Sequence, residues 1–125
     1  MSEKVRKPII FICSPYRGAS EDEVHENIQY ARHYAKLVWR LGGIAICPQM
    51  NSAFFGGSCD ERNFIEGYLQ VVDVVDALFV TPHPKIIKSS GCRAEQERAF
   101  EAGTKIIRTP DTLEVYIKRF IDGDE

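Results

Sequence analysis

Several features that would assign a chain to a specialised class of protein are absent from this sequence. It has no run of lysine or arginine and a formal net charge of −2, which argues against extended nucleic-acid backbone as the main partner. It has no apolar run long enough to span a membrane, and its polar first residues do not resemble a signal peptide. We therefore expect a cytoplasmic protein without a membrane partner that folds as one domain over residues 1–125.

Cysteines are few and widely spaced. The sequence contains Cys13, Cys47, Cys59 and Cys92, with no CxxC pair among them. Two of the four lie in apolar segments that are typical of strands. This pattern favours reduced, mostly buried thiols over a disulfide framework or a zinc site, so we expect no metal centre.

Short apolar segments alternate with helical patterns along the chain. The continuous apolar run at residues 8–13 is typical of a strand buried on both faces, and the mostly apolar segments 44–47, 76–80 and 105–107 are interpreted as three further strands. Each run is followed by apolar residues at helical spacing. The order β-α-β-α-β-α-β-α predicts an α/β fold, an open parallel sheet with helices on both faces.

Helix starts are marked by polar residues. Ser20 with Glu23, and Ser58 with Glu61, match the capping box, in which a serine hydroxyl and an acidic side chain satisfy free amides. Residues 49–58 contain two aromatics beside a Gly-Gly pair and are interpreted as a flap-like loop.

Three irregular segments follow the first three strands. They are Ser14–Gly18, Pro48–Ser58 and Thr81–Gly91. In open parallel sheets, ligands bind beyond the carboxyl ends of the strands, near the switch in strand order. We expect these segments to meet at one rim of the sheet and to form the binding site.

Two parts of this rim have the chemistry of an anion site. Arg17 can pair with a phosphate or carboxylate, and Gly18 permits close approach of the backbone. Ser89-Ser90-Gly91 opens a helix whose free amides, dipole and hydroxyls favour an anion. Simpler interpretations remain open, namely a turn with a solvated arginine and a capped helix that needs no ligand.

Glu95 lies about one turn into the same helix, on a face that it shares with Ala99 and Gly103. We expect the helix amino terminus to hold this carboxylate ionised near neutral pH. An ionised carboxylate that faces a sugar can attack the anomeric carbon. The alternative is an acidic residue that only stabilises the helix dipole.

Other acidic and polar residues are placed by the same topology. Arg62, Asn63 and Glu66 lie early in a helix that begins at the rim, and we expect them to orient a substrate hydroxyl or Glu95. Asp76 precedes its strand and lies roughly 16 Å from the rim, so it is interpreted as structural, as is Asp73.

Rim aromatics and a histidine are further candidates. His83 can protonate a leaving base or can simply be exposed. Tyr16, Phe54 and Phe55 can stack on a base or pack the flap against the body. Asn27 is expected to hydrogen-bond a rim loop from below.

An ordered set of motifs runs through residues 9–107. It comprises FICSPYRG, Asn27-Ile28 with Ala31, a helix that ends at glycine, Pro48, Asp76, and S-G-x-x-x-E-x-x-x-A-x-x-x-G from Ser90 to Gly103. This set resembles the nucleoside 2-deoxyribosyltransferase superfamily, and within it a short uncharacterised bacterial and phage branch.

The resemblance implies a flavodoxin-like (Rossmann-like) sheet of four to five strands and cleavage or exchange of the N-glycosidic bond. It implies that Glu95 is the nucleophile, that phosphate binds near Ser90 and the Ser14–Gly18 segment, and that the protein is a homodimer or larger homo-oligomer. One position departs from the family, because Tyr68 stands where characterised members have an aspartate that sets the catalytic geometry.

The resulting hypothesis is cleavage or transfer at the N-glycosidic bond of a nucleoside or nucleoside monophosphate, through a glycosyl-enzyme on Glu95 and without a cofactor or metal. Alternatives are a non-catalytic nucleotide-binding or sensor module and an NAD glycohydrolase. The expected partner is a small molecule, not a nucleic-acid polymer. The predicted substrate-binding residues are Ser14, Tyr16, Arg17, Gly18, Gln49, Arg62, Asn63, Glu66, Ser89, Ser90 and Gly91.

Overall fold

A computed structural model of the chain describes residues 6–53 and 55–123. The predicted alternation of strands and helices is confirmed, whereas the predicted role of Phe54 lies outside the described residues. The elements in chain order are β1 (Ile9–Cys13), α1 (Glu21–Arg40), β2 (Ile44–Ile46), α2 (Pro48–Asn51), α3 (Glu61–Val74), β3 (Ala77–Val80), a 3₁₀ turn (Ile86–Lys88), α4 (Ser90–Ala102), β4 (Lys105–Ile107) and α5 (Pro110–Asp122).

The four strands form one parallel sheet in the order β2-β1-β3-β4. This is the expected open α/β sheet of the flavodoxin-like type. The chain runs from β1 to β2 on one side and then crosses to β3 on the other, so the strand order switches between β1 and β3. In this register Cys13 pairs with Val80. Ser14 and Thr81 are the residues that follow these two strands, so they leave the sheet side by side.

Helices cover both faces of the sheet, as predicted. On one face the buried residues of α1 and α5 pack on the strands, and they include Ala31, Val38 and Ile117. On the other face α3 and α4 pack through Val72, Cys92 and Ala99. The elements after β1 and β3 thus lie on opposite faces, which leaves a crevice at the switch point.

Helix starts differ in part from the capping-box prediction. Ser20 caps α1 as expected, since its Oγ accepts a hydrogen bond from the Glu23 N–H at 3.1 Å. The prediction for Ser58 is wrong, because Asp60 caps α3 by accepting from the Arg62 N–H at 2.9 Å. The carboxylate stands next to the first helical residue, where it also complements the helix dipole.

The segment predicted as a continuous loop from 49 to 58 contains the end of a short helix. Pro48 starts α2, where its fixed φ suits the first helical position and its missing N–H is not needed. This turn directs Gln49 back under the carboxyl end of β1. The sequence analysis placed Pro48 at the start of an irregular segment and did not predict this helical turn.

The amino end of the sheet is fixed by Asp76, which confirms its structural interpretation. Its carboxylate accepts hydrogen bonds from the Arg6 guanidinium at 2.7 and 3.0 Å and from the Ile9 N–H at 2.7 Å. Asp73, also interpreted as structural, binds Arg98 of α4 through two bonds of 2.6 Å. None of the helices in the described part of the chain combines the length and apolar character needed to cross a bilayer.

Candidate functional site

A cavity of about 920 Å³ opens at the carboxyl ends of β1 and β3. All three segments predicted to form the rim contribute to its walls, and α3 and α4 complete them. Its lining residues are Ser14, Pro15, Tyr16, Arg17, Asn27, Pro48, Gln49, Ser52, Gly56, Gly57, Cys59, Glu61, Phe64, Ile65, Tyr68, Leu69, Lys85, Lys88, Ser89, Ser90, Gly91, Cys92, Ala94 and Glu95.

Buried hydrogen bonds fix the floor of this cavity. The Thr81 hydroxyl donates to Ser14 Oγ at 2.8 Å across the switch point. The Gln49 amide donates to the Ser14 carbonyl at 2.6 Å. All three residues are buried. Gln49 does reach the cavity as predicted, but its side-chain amide nitrogen already donates to the carbonyls of Ser14 and Ile12, so it positions the end of β1 and does not offer this group to a ligand.

His83 and Asn27 join the first and third rim segments. The Lys85 N–H donates to His83 Nδ1 at 3.0 Å, which places the imidazole proton on Nε2. Nε2 then donates to Asn27 Oδ1 at 3.0 Å. The Asn27 amide donates to the carbonyls of Tyr16 and Arg17 at 3.3 and 3.0 Å. The predicted supporting role of Asn27 is confirmed.

This network changes the interpretation of His83. Both ring nitrogens are engaged, and His83 is not among the residues that line the cavity. Burial lowers its pKa, and the Lys85 charge lowers it further while Glu23 opposes this. A histidine in this position holds two loops together, which does not support its predicted role as an acid toward a leaving base.

Ser89, Ser90 and Gly91 lie on the cavity wall at the start of α4. Ser89 caps the helix, since its Oγ accepts from the Cys92 N–H at 3.2 Å. A Cβ atom built on Gly91 would meet nothing closer than Ser89 Oγ at 4.0 Å, so the backbone here is open to the cavity. The geometry keeps the predicted anion site available, with Lys88 beside it.

Glu95 lines the same cavity one turn further along α4. Its carboxylate lies close to two thiols, those of Cys13 and Cys92, and the three donor atoms are within 4.8 Å of one another. The pKa of Glu95 is raised to about 8, chiefly by burial and also by the neighbouring Cys92, while a hydrogen bond with Cys13 opposes the shift. The expectation that the helix terminus keeps Glu95 ionised near neutral pH is therefore wrong, because burial favours the neutral form of the carboxyl group.

The small-residue face predicted for α4 is only partly realised. Ala99 is fully buried and packs in the core. Gly103 is exposed and ends the helix in the left-handed region, with φ at +74°. Glycine is therefore required at position 103 for the turn that ends α4, and not for close packing between helices.

The face of α3 that lines the cavity is not the one predicted. Glu61, Phe64, Ile65, Tyr68 and Leu69 face the cavity at helical spacing. The structure does not bring the predicted residues Arg62, Asn63 and Glu66 to it, and all three are exposed. The rotation of the helix follows from packing of Val72 and its neighbours on the sheet. The apolar spacing of Phe64, Ile65, Tyr68 and Leu69 was the sequence signal that could have revealed this face.

Tyr68 is held in the cavity wall by its hydroxyl. The hydroxyl lies 2.8 Å from Asn51 Nδ2 and 2.9 Å from Ser52 Oγ, both at the end of α2. Its ring meets Phe11 edge-on, with centroids 6.4 Å apart. At the position where the resemblance leads one to expect an aspartate, this chain therefore has a hydroxyl group that accepts a hydrogen bond from Asn51 of a neighbouring helix.

Contacts across the mouth of the cavity involve Tyr16 and Arg17. The Tyr16 hydroxyl donates to the Ala53 carbonyl at 3.3 Å, and Arg17 forms an ion pair with Glu61. Arg17 is thus at the cavity as predicted but is paired with a carboxylate. Gly18 is not at the cavity, since the close approach that it permits is to Glu23, whose Cβ would lie 2.7 Å from an added Cβ atom.

A family model matches residues 8–109 of the sequence, and its description is "Domain of unknown function (DUF7768)". The chain belongs to this family. No curated protein matches the sequence.

The family region contains all four strands and every residue that lines the cavity. The whole of α5 lies beyond the end of this region and packs against the opposite face of the sheet through Leu113 and Ile117. The candidate site is therefore a feature of the family domain itself, and α5 serves the core.

Proposed function

We propose that this chain cleaves or transfers the N-glycosidic bond of a nucleoside or nucleoside monophosphate, with Glu95 attacking C1′ of the sugar. The observation that supports this most is the position of Glu95. It lies on the wall of a 920 Å³ cavity at the switch in strand order, one turn after the open helix start at Ser89–Gly91. A carboxyl and an anion site so placed can engage two parts of one small molecule.

In the proposed step, an oxygen of the Glu95 carboxyl group replaces the base on C1′ of the sugar. The bond between C1′ and the base nitrogen breaks, the base takes the electron pair, and an oxygen of Glu95 bonds to C1′. A neutral carboxyl group also releases one proton, which is the proton that the departing base takes up. Water or a second base then removes the sugar, which gives hydrolysis or transfer.

The remaining walls suit the two ends of a nucleotide. The amides at the start of α4, together with Lys88 and the partly paired Arg17 and Lys85, favour a phosphate on one side. The apolar side chains of α3, among them Phe64 and Leu69, offer a flat surface to a base on the other. This division favours a monophosphate over an uncharged nucleoside.

The test is release of free base from a panel of nucleosides, their 5′-monophosphates and NAD. We expect release from at least one monophosphate, and Glu95→Gln should reduce it by on the order of 10³-fold or more. Glu97→Gln is the matched control, because Glu97 is an exposed residue of the same helix and is not at the cavity. No release from any substrate, or equal release by the Glu95 variant, would contradict the proposal. Nicotinamide release from NAD alone would favour the glycohydrolase alternative.

A non-catalytic nucleotide-binding module is the second candidate function. Its support is Tyr68, which is tied to Asn51 and Ser52 and brings no carboxylate to Glu95. This function predicts that a nucleotide raises the melting temperature of wild-type protein and of Glu95→Gln equally, with no base released. A nucleotide that stabilises the protein and is also consumed would exclude it.

A further inference from the structure

Three donor groups converge beneath the cavity although the sequence separates them widely. Cys13 ends β1, Cys92 lies in the first turn of α4, and Glu95 follows one turn later. Their sulfur and oxygen atoms all lie within 4.8 Å of one another. The spacing rules for metal motifs detect ligands that are close in sequence, so they do not detect this cluster.

The geometry of the cluster is close to that of a tetrahedral metal site. With Zn–S of about 2.3 Å and Zn–O of about 2.0–2.2 Å, tetrahedral donors lie roughly 3.5–3.8 Å apart. A contraction of at most about 1.3 Å would bring these donors to that separation, and rotation of the Glu95 side chain can supply part of it. The two thiols are already held, since Cys13 is 0% and Cys92 2% exposed, and Cys13 Sγ lies 3.6 Å from the Cys92 carbonyl.

We propose that Cys13, Cys92 and Glu95 bind one thiophilic divalent cation, Zn²⁺ in the first place. Two thiolates select zinc over magnesium or calcium, which prefer oxygen donors. Binding displaces the two thiol protons, and the carboxyl proton where Glu95 is neutral, to solvent. Three protein ligands leave the fourth position to water, as in zinc sites that remain open.

The cavity supplies both a route to the site and a compensating charge. Cys92 and Glu95 line the cavity wall, so an ion that enters the cavity meets two of the three ligands there, and the third, Cys13, is buried beside them. Two thiolates and one carboxylate exceed the charge of Zn²⁺ by one. Lys85 and Lys88 line the same cavity and partly offset that excess.

Metal binding would remove Glu95 from the proposed reaction. A carboxylate oxygen that ligates zinc is not free to attack C1′, so the metal-bound form is an inactive form. This consequence rests on the proposed function, whereas binding of the ion does not. The two are therefore tested separately.

Binding is tested with Co²⁺, which reports thiolate ligands by a charge-transfer band in the near ultraviolet. The chain is stripped of metal with a chelator, kept reduced with a phosphine, and titrated with Co²⁺ and then Zn²⁺. We expect a thiolate band that saturates at one ion per chain and is abolished by one equivalent of zinc. Absence of the band would overturn the proposal.

Variants identify the ligands. Cys92→Ser and Cys13→Ser should weaken zinc binding by more than the roughly 10–100-fold that loss of a supporting residue costs. Glu95→Gln should keep a thiolate band with weaker affinity. Cys59→Ser and Cys47→Ser are controls, since these cysteines lie outside the cluster and should leave binding unchanged. A band that survives in Cys92→Ser or disappears in Cys59→Ser would place the ion elsewhere.

Two additional measurements distinguish loss of metal binding from misfolding of a variant and from failure of the proposed reaction. Melting curves of the cysteine variants show whether they fold, and Cys13→Ala replaces Cys13→Ser if the buried hydroxyl prevents folding. If the protein releases base, stoichiometric zinc should abolish that release and a chelator should restore it. A saturating thiolate band without any base release would support the metal site and contradict the proposed function. Base release without a thiolate band would support the proposed function and contradict the metal site.

Discussion

The two ends of the sheet treat a carboxyl group in opposite ways. At the amino end, burial alone would raise the pKa of Asp76, but the Arg6 guanidinium and the Ile9 N–H bring it below its ordinary value of 3.8. At the carboxyl end, burial first and the nearby Cys92 second raise the pKa of Glu95 to about 8, against an opposing hydrogen bond with Cys13. Among the ion pairs of the described residues, Asp76 has a partner and Glu95 does not appear.

This contrast separates a structural carboxylate from a candidate reacting one. Asp76 has nearly all its acceptor capacity filled by the protein, so its charge stabilises the fold. Glu95 lies where burial disfavours its ionised form, on the wall of a cavity large enough for a small molecule. Groups with such shifts in cavities are found preferentially at functional sites.

The largest expected effect on the fold is at Asp76. Asp76→Asn should lower the free energy of unfolding by about 1.5–3 kcal/mol at pH 7, because it breaks charge-assisted bonds to Arg6. The folded pKa is depressed, so this contribution is present above pH 3.8 and is lost as the pH falls through the folded pKa. Urea unfolding of wild type and Asp76→Asn from pH 7 to pH 3 measures this contribution. The difference between their free energies of unfolding should shrink toward the acid end of the range.

The same variant also tests whether the two ends of the sheet act independently. Asp76→Asn should leave any base release within about 2-fold of wild type, in contrast to Glu95→Gln, because Asp76 lies at the far end of the sheet. A loss of activity without loss of stability in Asp76→Asn would show that the two ends are not functionally separate.

A smaller effect is expected at Asn27, which supports the rim from inside. Asn27→Ala leaves the carbonyls of Tyr16 and Arg17 and the His83 ring without their partner, and should cost about 1–2 kcal/mol. It should also weaken nucleotide binding, since the loop after β1 is then less fixed. Calorimetric titration with a monophosphate measures this effect, and Gln29→Ala, on the same helix, is the control.

Tyr68→Phe tests the hydroxyl group of the tyrosine that stands where the resemblance leads one to expect an aspartate. It keeps the ring against Phe11 and removes the bonds to Asn51 and Ser52, so we expect a loss of about 0.5–1.5 kcal/mol in stability. Thermal unfolding checks the value. An unchanged melting temperature would mean that the hydroxyl is retained for contact with a ligand and not for the fold.

The smallest effects should come from the exposed side of α3. Arg62→Ala, Asn63→Ala and Glu66→Ala should each change stability by no more than about 0.5 kcal/mol, because these residues lie away from the cavity. Nucleotide binding by these variants should equal that of wild type. A strong loss in any of them would show that a ligand extends beyond the cavity wall described here.

Much of the fold was predictable because it depends on local pattern. Continuous apolar runs such as Ile9–Cys13 identify buried parallel strands, and capping by Ser20 follows from local hydrogen bonding. The position of the site beyond Ser14 and Ser89 followed from topology. The cap of α3 and the helical turn at Pro48 were missed, since several neighbouring polar residues compete for the first and a proline can end a strand or start a helix.

The alternation of strands and helices, the rim segments, and Glu95 as the carboxyl group after an open helix start could all be predicted from the amino-acid sequence. The face of α3 that meets the cavity, the link between two loops through Asn27 and His83, and the position of Cys13 and Cys92 beside Glu95 depend on the folded chain. The reason is physical: strands and caps depend on neighbours along the chain, whereas helix rotation, desolvation and the meeting of distant thiols depend on how the whole core packs.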